Sequence, residues 1–100
     1  MRKAILSKKT ISRLEKLLVY LETEWGERAK QKFIKKLDKS IKFVTTFPEA
    51  TEKSELMVGL HRCVVTKQTT FYYKFNDTEI HIVALFDNRM NPEKLKNEIK

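Results

Sequence analysis

Apolar residues recur every three or four positions through the first half of the chain. Ser7 is a suitable N-cap residue, and a second run begins at Glu27, directly after Gly26, and ends near Phe47-Pro48, where proline cannot continue a helix. The first apolar face comprises Ile11, Leu14, Leu17, Leu18, Leu21 and Trp25, and the second comprises Ala29, Phe33, Leu37, Ile41 and Val44. The pattern predicts two amphipathic helices joined at one glycine as a hairpin.

The second half of the chain changes to a period of two. It is rich in Val, Ile, Thr, Phe and Tyr, and short polar turns interrupt it at Lys67-Gln68 and Asn76-Asp77. Phe71, Tyr73 and Phe75 alternate with Thr70, Tyr72 and Lys74, and Ile80, Ile82, Ala84 and Phe86 alternate with His81, Val83 and Leu85. This pattern predicts an antiparallel meander with one face packed on the helices and a mixed outer face.

Two short segments complete the predicted architecture. Residues 3–6 are apolar enough to form an N-terminal strand, and Asn91, Pro92 and Glu93 begin a pattern typical of a short closing helix. We therefore predict one α+β domain over residues 1–100. In it the N-terminal strand and the two-helix hairpin pack on an antiparallel sheet of three to four further strands, followed by the short C-terminal helix.

The amino-acid composition limits the cellular compartments and the kinds of site that we expect for this protein. Of the 100 residues 41% are hydrophobic, which is ordinary for a globular protein, and Cys63 is the single cysteine. A disulfide within the chain and a multi-cysteine metal site are therefore excluded, and we expect a reducing, cytoplasmic environment. The start of the chain is interrupted by charges and no segment is apolar for long enough to cross a bilayer, so no membrane partner is expected.

The net charge of +8 is unevenly distributed. Residues 1–46 hold thirteen Lys or Arg against five acidic residues, whereas residues 47–100 hold eight of each sign. On the second predicted helix, a basic stripe lies opposite the apolar one and comprises Arg28, Lys32, Lys35, Lys39 and Lys42. We therefore expect any electrostatic partner to bind the first half of the chain.

Taken together, these segments resemble the RelE/ParE superfamily of bacterial toxins, most closely its ParE or plasmid-stabilisation branch. The resemblance rests on the order of the elements, the Trp25-Gly26 pair, the "FPE" turn, the strands "LHRCVVTKQTTFYYKFNDTEIHIVALFDNR" and the final "NPEKL". It implies a growth-inhibiting toxin of a type II toxin–antitoxin system. Such a toxin is neutralised by a small antitoxin protein that wraps around it. The toxin contacts operator DNA only indirectly, through this antitoxin.

The ParE branch implies inhibition of DNA gyrase by binding, without catalysis and without a cofactor or metal. For this activity we expect target contacts at Arg62, Arg89 and Lys94, and antitoxin contacts along the basic stripe. A third interpretation keeps the fold but makes the protein a degenerate, non-toxic module.

The RelE branch implies a different activity, metal-independent cleavage of mRNA on the ribosome. Cleavage of this kind needs a base, an acid and cations around one phosphate. Arg62 and Arg89 match the family's arginines and are expected over one face of the sheet, with His61, His81 or Tyr72 as proton carrier. Leu95 stands where RelE-like toxins tend to place a tyrosine, which disfavours this activity.

Several of these residues also have structural interpretations. The alternation along the strand places His61 on the side opposite Arg62. Cys63, next to Val64, is expected to be a buried small hydrophobic residue. Arg89 follows Asp87 by two residues, and the two side chains can form an ion pair that only organises the turn.

Overall fold

The computed structural model describes residues 2–55 and 58–89. Its two helices cover one face of a four-stranded sheet whose strand order is β1-β4-β3-β2, which confirms the predicted α+β fold. The elements are β1 (Lys3–Leu6), α1 (Lys8–Trp25), α2 (Glu27–Thr46), β2 (His61–Val64), β3 (Thr69–Phe75) and β4 (Glu79–Asp87). The predicted C-terminal helix and Lys94 lie outside the described residues.

The helical hairpin forms where the sequence predicts it. The Ser7 hydroxyl caps α1 by accepting a hydrogen bond from the backbone N–H of Thr10 at 3.1 Å. Gly26 separates α1 from α2 with φ at 96° and ψ at 171°, a conformation that is essentially restricted to glycine. The hairpin can therefore turn within one residue.

The sheet is mixed, and three strands follow the hairpin within the described residues. Strands β2, β3 and β4 form the predicted antiparallel meander, whereas β1 pairs with β4 in parallel, with Ile5 opposite His81. Two parallel strands need a long connection that crosses the sheet. Here the helical hairpin provides the crossing before the chain returns as β4 beside β1.

A β-bulge changes which residues of β4 face the helices. Tyr72 pairs with Ala84 and Tyr73 with Ile82, so Val83 is an extra residue on β4. The predicted alternation is correct as far as Ile82 and wrong beyond it. After the bulge the buried positions are Leu85 and Asp87, whereas Ala84 and Phe86, predicted on the face of Ile80 and Ile82, lie on the outer face.

The core lies between the hairpin and the sheet. The helices contribute Leu17, Leu21, Phe33, Leu37 and Val44, and the strands contribute Cys63, Phe71, Tyr73, Ile80, Ile82 and Leu85. Two residues of the predicted α1 stripe remain exposed, Ile11 by 43% and Trp25 by 67%. No helix in the described part of the chain is long and apolar enough to span a bilayer.

Candidate functional site

The exposed side of α2 carries a row of cations that we call the cationic ridge. It contains the five residues predicted from the sequence and one more: Arg28, Lys32, Lys35, Lys36, Lys39 and Lys42. At about 100° per residue these positions occupy an arc of about 120°, centred opposite the buried Phe33, Leu37 and Val44. At 1.5 Å per residue the ridge is about 21 Å long.

Most cations of the ridge have no charge partner among the residues that the structure describes. Lys42 forms an ion pair with Asp38 at 2.9 Å, whereas the other ridge cations have no ion pair with any residue that the structure describes. Because these cations are exposed and close together, they repel one another, and an anionic partner would relieve that repulsion.

The neighbouring Lys30 lies outside the ridge, and two carboxylates balance its positive charge. Its ammonium group is 2.9 Å from a carboxylate oxygen of Glu22 and 3.0 Å from one of Glu27, and these contacts raise its pKa. Hydrogen bonds from Gln31 and Lys30 lower the pKa of Glu27 to about 2. Near neutral pH Lys30 and Glu27 are therefore both charged and paired with each other.

An apolar groove, which we call the edge groove, lies beside the C-terminal half of the ridge. Its volume is about 710 Å³, and its lining comprises Lys39, Ser40, Phe43, Ala50, Thr51, Glu52, Arg62, Cys63 and Val64. Phe43 is 46% exposed and Val64 is 56% exposed. Two apolar side chains are thus available to a partner, between the cations of Lys39 and Arg62.

The edge of β2 that borders this groove is only partly covered. The N–H of Arg62 donates to the carbonyl of Glu52 at 2.9 Å, so the loop before β2 pairs with one end of the strand. Val64 pairs with Thr70 on β3, and no described residue pairs with it on the opposite side. The free part of the edge can therefore accept an additional strand.

Arg62 and Tyr72 lie next to each other on the outer face of the sheet. They are cross-strand partners and line one cavity of about 340 Å³ with Glu52, Lys53, Ser54 and Glu55. Tyr72 is buried, whereas Arg62 is exposed. Of the candidate residues predicted from the sequence, these two are brought together.

The two histidines lie elsewhere. His61 lies opposite Tyr73 and stacks on its ring, and the ring of Phe75 packs against it at a tilt. Its Nδ1 lies 3.2 Å from the carbonyl oxygen of Thr51. His61 lies on the side opposite Arg62, as the alternation predicts. His81 is on β4, where its Nε2 is 3.2 Å from a carboxylate oxygen of Glu79.

The side chain of Arg89 lies on the face of the sheet that the helices cover. Its Nε donates to Asp87 Oδ1 at 2.7 Å, its Nη2 donates to Oδ2, and its guanidinium lies over the ring of Tyr20 on α1. Thr69 donates a further hydrogen bond to the fully buried Asp87. The ion-pair interpretation of Arg89 is therefore the one that the structure supports.

The pKa values of this pair follow from its contacts. Burial alone would raise the pKa of Asp87, but hydrogen bonds from Arg89 and Thr69 outweigh it and hold that pKa below its usual value. The same contact with Asp87 raises the pKa of Arg89. Both groups are therefore charged across the physiological range.

The prediction that Arg62 and Arg89 lie over one face of the sheet is wrong. The bulge at Val83 places Asp87 on the helix side, and Asp87 holds Arg89 there, where it borders a groove with Trp25 and Lys32. The candidate ribonuclease residues therefore lie in different parts of the structure and do not all meet at one site.

Some surface features were missed by the sequence patterns. The apolar Phe43 lies outside the buried stripe of α2. Its position outside the helical period is a sequence signal by which an exposed apolar residue could have been predicted. Tyr20, which contacts Arg89, carries no such signal. Cys63 is buried as predicted, and burial raises the pKa of its thiol. Within the described ranges no group of three or more His, Cys, Asp or Glu side chains could hold a metal ion.

Several solved structures have a similar fold, among them the following three. The chromosomal ParDE toxin–antitoxin system from P. aeruginosa matches with a TM-score of 0.72 at 14% identity, covering 87% of this chain and 96% of that chain. A conserved hypothetical protein from Helicobacter pylori matches with a TM-score of 0.58 at 19% identity, covering 89% and 97%. The E. coli DinJ-YafQ complex matches with a TM-score of 0.56 at 13% identity, covering 89% and 96%.

No curated protein matches the sequence. A family model does match, over residues 4–92, and its description is the ParE toxin of the type II toxin–antitoxin system parDE. The matched range includes all residues of the described helices and strands except Lys3, the first residue of β1. The chain therefore belongs to the ParE toxin family of type II toxin–antitoxin systems.

Proposed function

We propose that this ParE-family toxin acts by binding and inhibiting DNA gyrase, and that a small antitoxin neutralises it. The observation that carries the proposal is the separation of Arg62 from Arg89, the two cations that a ribonuclease site would need at one phosphate. Family membership supports the toxin function, and the dispersed candidate residues favour binding over catalysis.

Catalysis of RNA cleavage makes geometric demands that these residues do not meet together. A general base or acid must come within about 3 Å of the proton that it transfers, and the cations must contact the same phosphate. Arg89 is bound to Asp87, His61 packs on the rings of Tyr73 and Phe75, and His81 is beside Glu79. Of the ribonuclease candidates predicted from the sequence, Tyr72 is the one that lies beside Arg62.

For the target contact we propose the outer face of the sheet around Arg62. This guanidinium is exposed, belongs to no ion pair within residues 2–55 and 58–89, and lies at the open edge of the molecule. Arg89 is a weaker candidate because Asp87 already neutralises it. Lys94, beyond the described residues, stays a predicted contact.

For the antitoxin we propose the edge groove. Phe43 and Val64 offer apolar surface, the free edge of β2 offers backbone hydrogen bonds, and Lys39 and Arg62 offer positive charge. An acidic, amphipathic segment laid along β2 would use all three. Of the predicted antitoxin contacts on the ridge, Lys39 is the one that borders this groove, and Arg28, Lys32, Lys35 and Lys42 stay predictions.

Two assays on protein made by cell-free synthesis test the mode of action. We expect the toxin to inhibit negative supercoiling by purified gyrase and to leave ribosome-bound mRNA intact. Arg62→Ala should weaken the inhibition, whereas Lys74→Ala on the same face should not. Cleavage of mRNA that is lost in Arg62→Ala or Tyr72→Phe, with supercoiling unaffected, would instead establish the ribonuclease.

The antitoxin contact is tested with the protein encoded by the neighbouring reading frame. We expect it to co-purify with the toxin and to restore growth, and we expect Val64→Asp to abolish both effects. Since Val64 is exposed, this change should leave the toxin folded, which circular dichroism would show. Undiminished co-purification of the Val64→Asp variant would place the antitoxin elsewhere.

A further inference from the structure

We propose that the N-terminal part of the cationic ridge binds the phosphate backbone of duplex DNA, without sequence preference, through Arg28, Lys32 and Lys35. This contact is made by the toxin itself and is independent of whether gyrase is the target. It is also separate from operator recognition, which we expect to depend on the antitoxin.

The geometry of the ridge suits a regular polyanion. The three side chains lie within about 60° of arc on consecutive turns of a helix whose other side is buried in the core. The arc faces outward as a convex surface, so no part of the protein that the structure describes prevents a rigid duplex from approaching. Along the helix, successive cations are about 5–6 Å apart, whereas duplex DNA offers one phosphate per 1.7 Å of its axis. Every cation can therefore reach a phosphate.

The charge of the ridge is available to a ligand. Lys30 is held by Glu22 and Glu27, but Arg28, Lys32 and Lys35 have no ion pair within the described residues. The acidic residues of α2 are already paired, Glu27 with Lys30 and Asp38 with Lys42 at the far end. Binding therefore breaks no internal ion pair and releases the counterions condensed on DNA.

The side chains around these cations favour duplex DNA over other polyanions. The arc from Arg28 to Lys39 contains no aromatic or aliphatic residue, and the exposed Trp25 lies beside it in a groove with Lys32. One ring supplies neither the row of stacking platforms that a single-strand site uses nor the row of apolar contacts that an amphipathic peptide needs. Gln31, at the margin of the arc, donates its amide to Glu27, so apart from the cations no side chain of the arc is free to read base edges, and we expect the contact to depend on phosphates and not on sequence.

The edge groove and the proposed DNA surface occupy different parts of α2. The groove borders Lys39 and Phe43 near the C-terminal end, whereas Arg28 begins the ridge at the hairpin turn. An antitoxin segment confined to the groove would leave the DNA surface open.

Fluorescence anisotropy with a labelled 30-base-pair duplex of arbitrary sequence tests the proposal, using toxin alone at a series of salt concentrations. We expect micromolar binding at low salt and a plot of log K against log salt with a slope of about −2.7, as for the three proposed phosphate contacts. The variant carrying Arg28→Gln, Lys32→Gln and Lys35→Gln should lose about 0.9 of that slope for each residue. Its affinity at about 0.1 M salt should fall at least about tenfold.

A matched control separates the ridge from net charge. The variant carrying Lys3→Gln, Lys67→Gln and Lys74→Gln loses the same charge from exposed positions on the sheet side, and its slope should stay within about one unit of the original. Equal losses in the two variants would show attraction by net charge alone and overturn the proposal. So would the absence of salt-dependent binding by the unaltered toxin.

Three further probes identify the ligand class. We expect single-stranded DNA of equal length and a poly-glutamate peptide to compete less well than the duplex, and duplex RNA to compete no better. Tighter binding of the single strand, the peptide or the RNA would refute duplex DNA as the ligand. Circular dichroism of both variants should match that of the unaltered toxin, since every substitution is at the surface.

Discussion

Asp87 is a fully buried carboxylate at the end of β4, and its charge is compensated by one neighbour on the chain. The side chain and backbone N–H of Arg89 donate to it, and Thr69 donates from β3. A buried charge is tolerated when such partners replace water, and removal of one partner exposes the full desolvation cost of the other. Arg89 is therefore important for stability as well as a candidate contact.

We predict that Asp87→Asn lowers the free energy of unfolding by about 2 kcal/mol, because it removes hydrogen bonds to a charged acceptor. Arg89→Ala should cost about 3 kcal/mol, since it leaves the buried carboxylate without its cation. Urea unfolding of both single variants and the double variant measures the coupling. The double variant should lose less than the sum of the two single losses, and strict additivity would contradict the pairing.

The same residue gives a prediction about pH. The pKa of Asp87 in the folded protein lies below its usual value of 3.8, because the hydrogen bonds from Arg89 and Thr69 outweigh the effect of burial. Its contribution to stability is therefore complete above that usual value and is lost as pH falls through the lowered one. Urea unfolding between about pH 5 and about pH 2 should show a shallower decline for Asp87→Asn than for the unaltered protein. Parallel declines would contradict this assignment.

At the scale of elements, hydrophobic periodicity predicted the hairpin but not the details of β4. Helices α1 and α2 show their buried face in the sequence because a continuous helix keeps its period. In β4 one extra residue, Val83, reverses the faces, and nothing in the local sequence distinguishes a bulge from regular alternation. The parallel pairing of β1 was also invisible, since it depends on contacts between residues far apart in the chain.

Gly26 permits the turn between α1 and α2 through its backbone conformation alone. A Cβ atom added there would meet nothing within 4 Å, but φ at 96° is rarely adopted by other residues. We predict that Gly26→Ala lowers the free energy of unfolding by about 1–3 kcal/mol through strain. Glu24→Ala, at an exposed position of the same hairpin, should change it by less than about 0.5 kcal/mol. Equal effects in urea unfolding would show that the turn does not depend on glycine.

At the scale of the whole molecule, charge and apolar surface are separated. A row of cations without ion pairs among the described residues lies on α2, and the exposed Phe43 and Val64 lie at the edge groove. The charge was predictable from the sequence because helical spacing fixes which lysines share a face. The site was less predictable, because the position of Arg89 depends on the bulge and on Tyr20, which are tertiary features.

The like charges placed close together on the ridge lower the stability of the fold, and this effect can be measured. Lys32 lies one turn from Arg28 and from Lys36, and like charges at that spacing are unfavourable. We predict that Lys32→Glu raises the free energy of unfolding by about 0.5–1 kcal/mol at low salt, and that the gain shrinks at high salt. Lys3→Glu, at an exposed position whose partner on β4 is Glu79, should give no such gain. A loss of stability in Lys32→Glu would contradict the repulsion along the ridge.

The pairing of β1 with β4 also bears on how the toxin is made. Residues 3–6 find their neighbours only when residues 79–82 are present, so the sheet closes late in synthesis. Until then the emerging hairpin displays its apolar stripes without the strands that cover them, a state in which chaperones bind nascent chains. We therefore expect the polypeptide to be harmless to its host while β4 is still inside the ribosome tunnel, and to become toxic only after release of that strand.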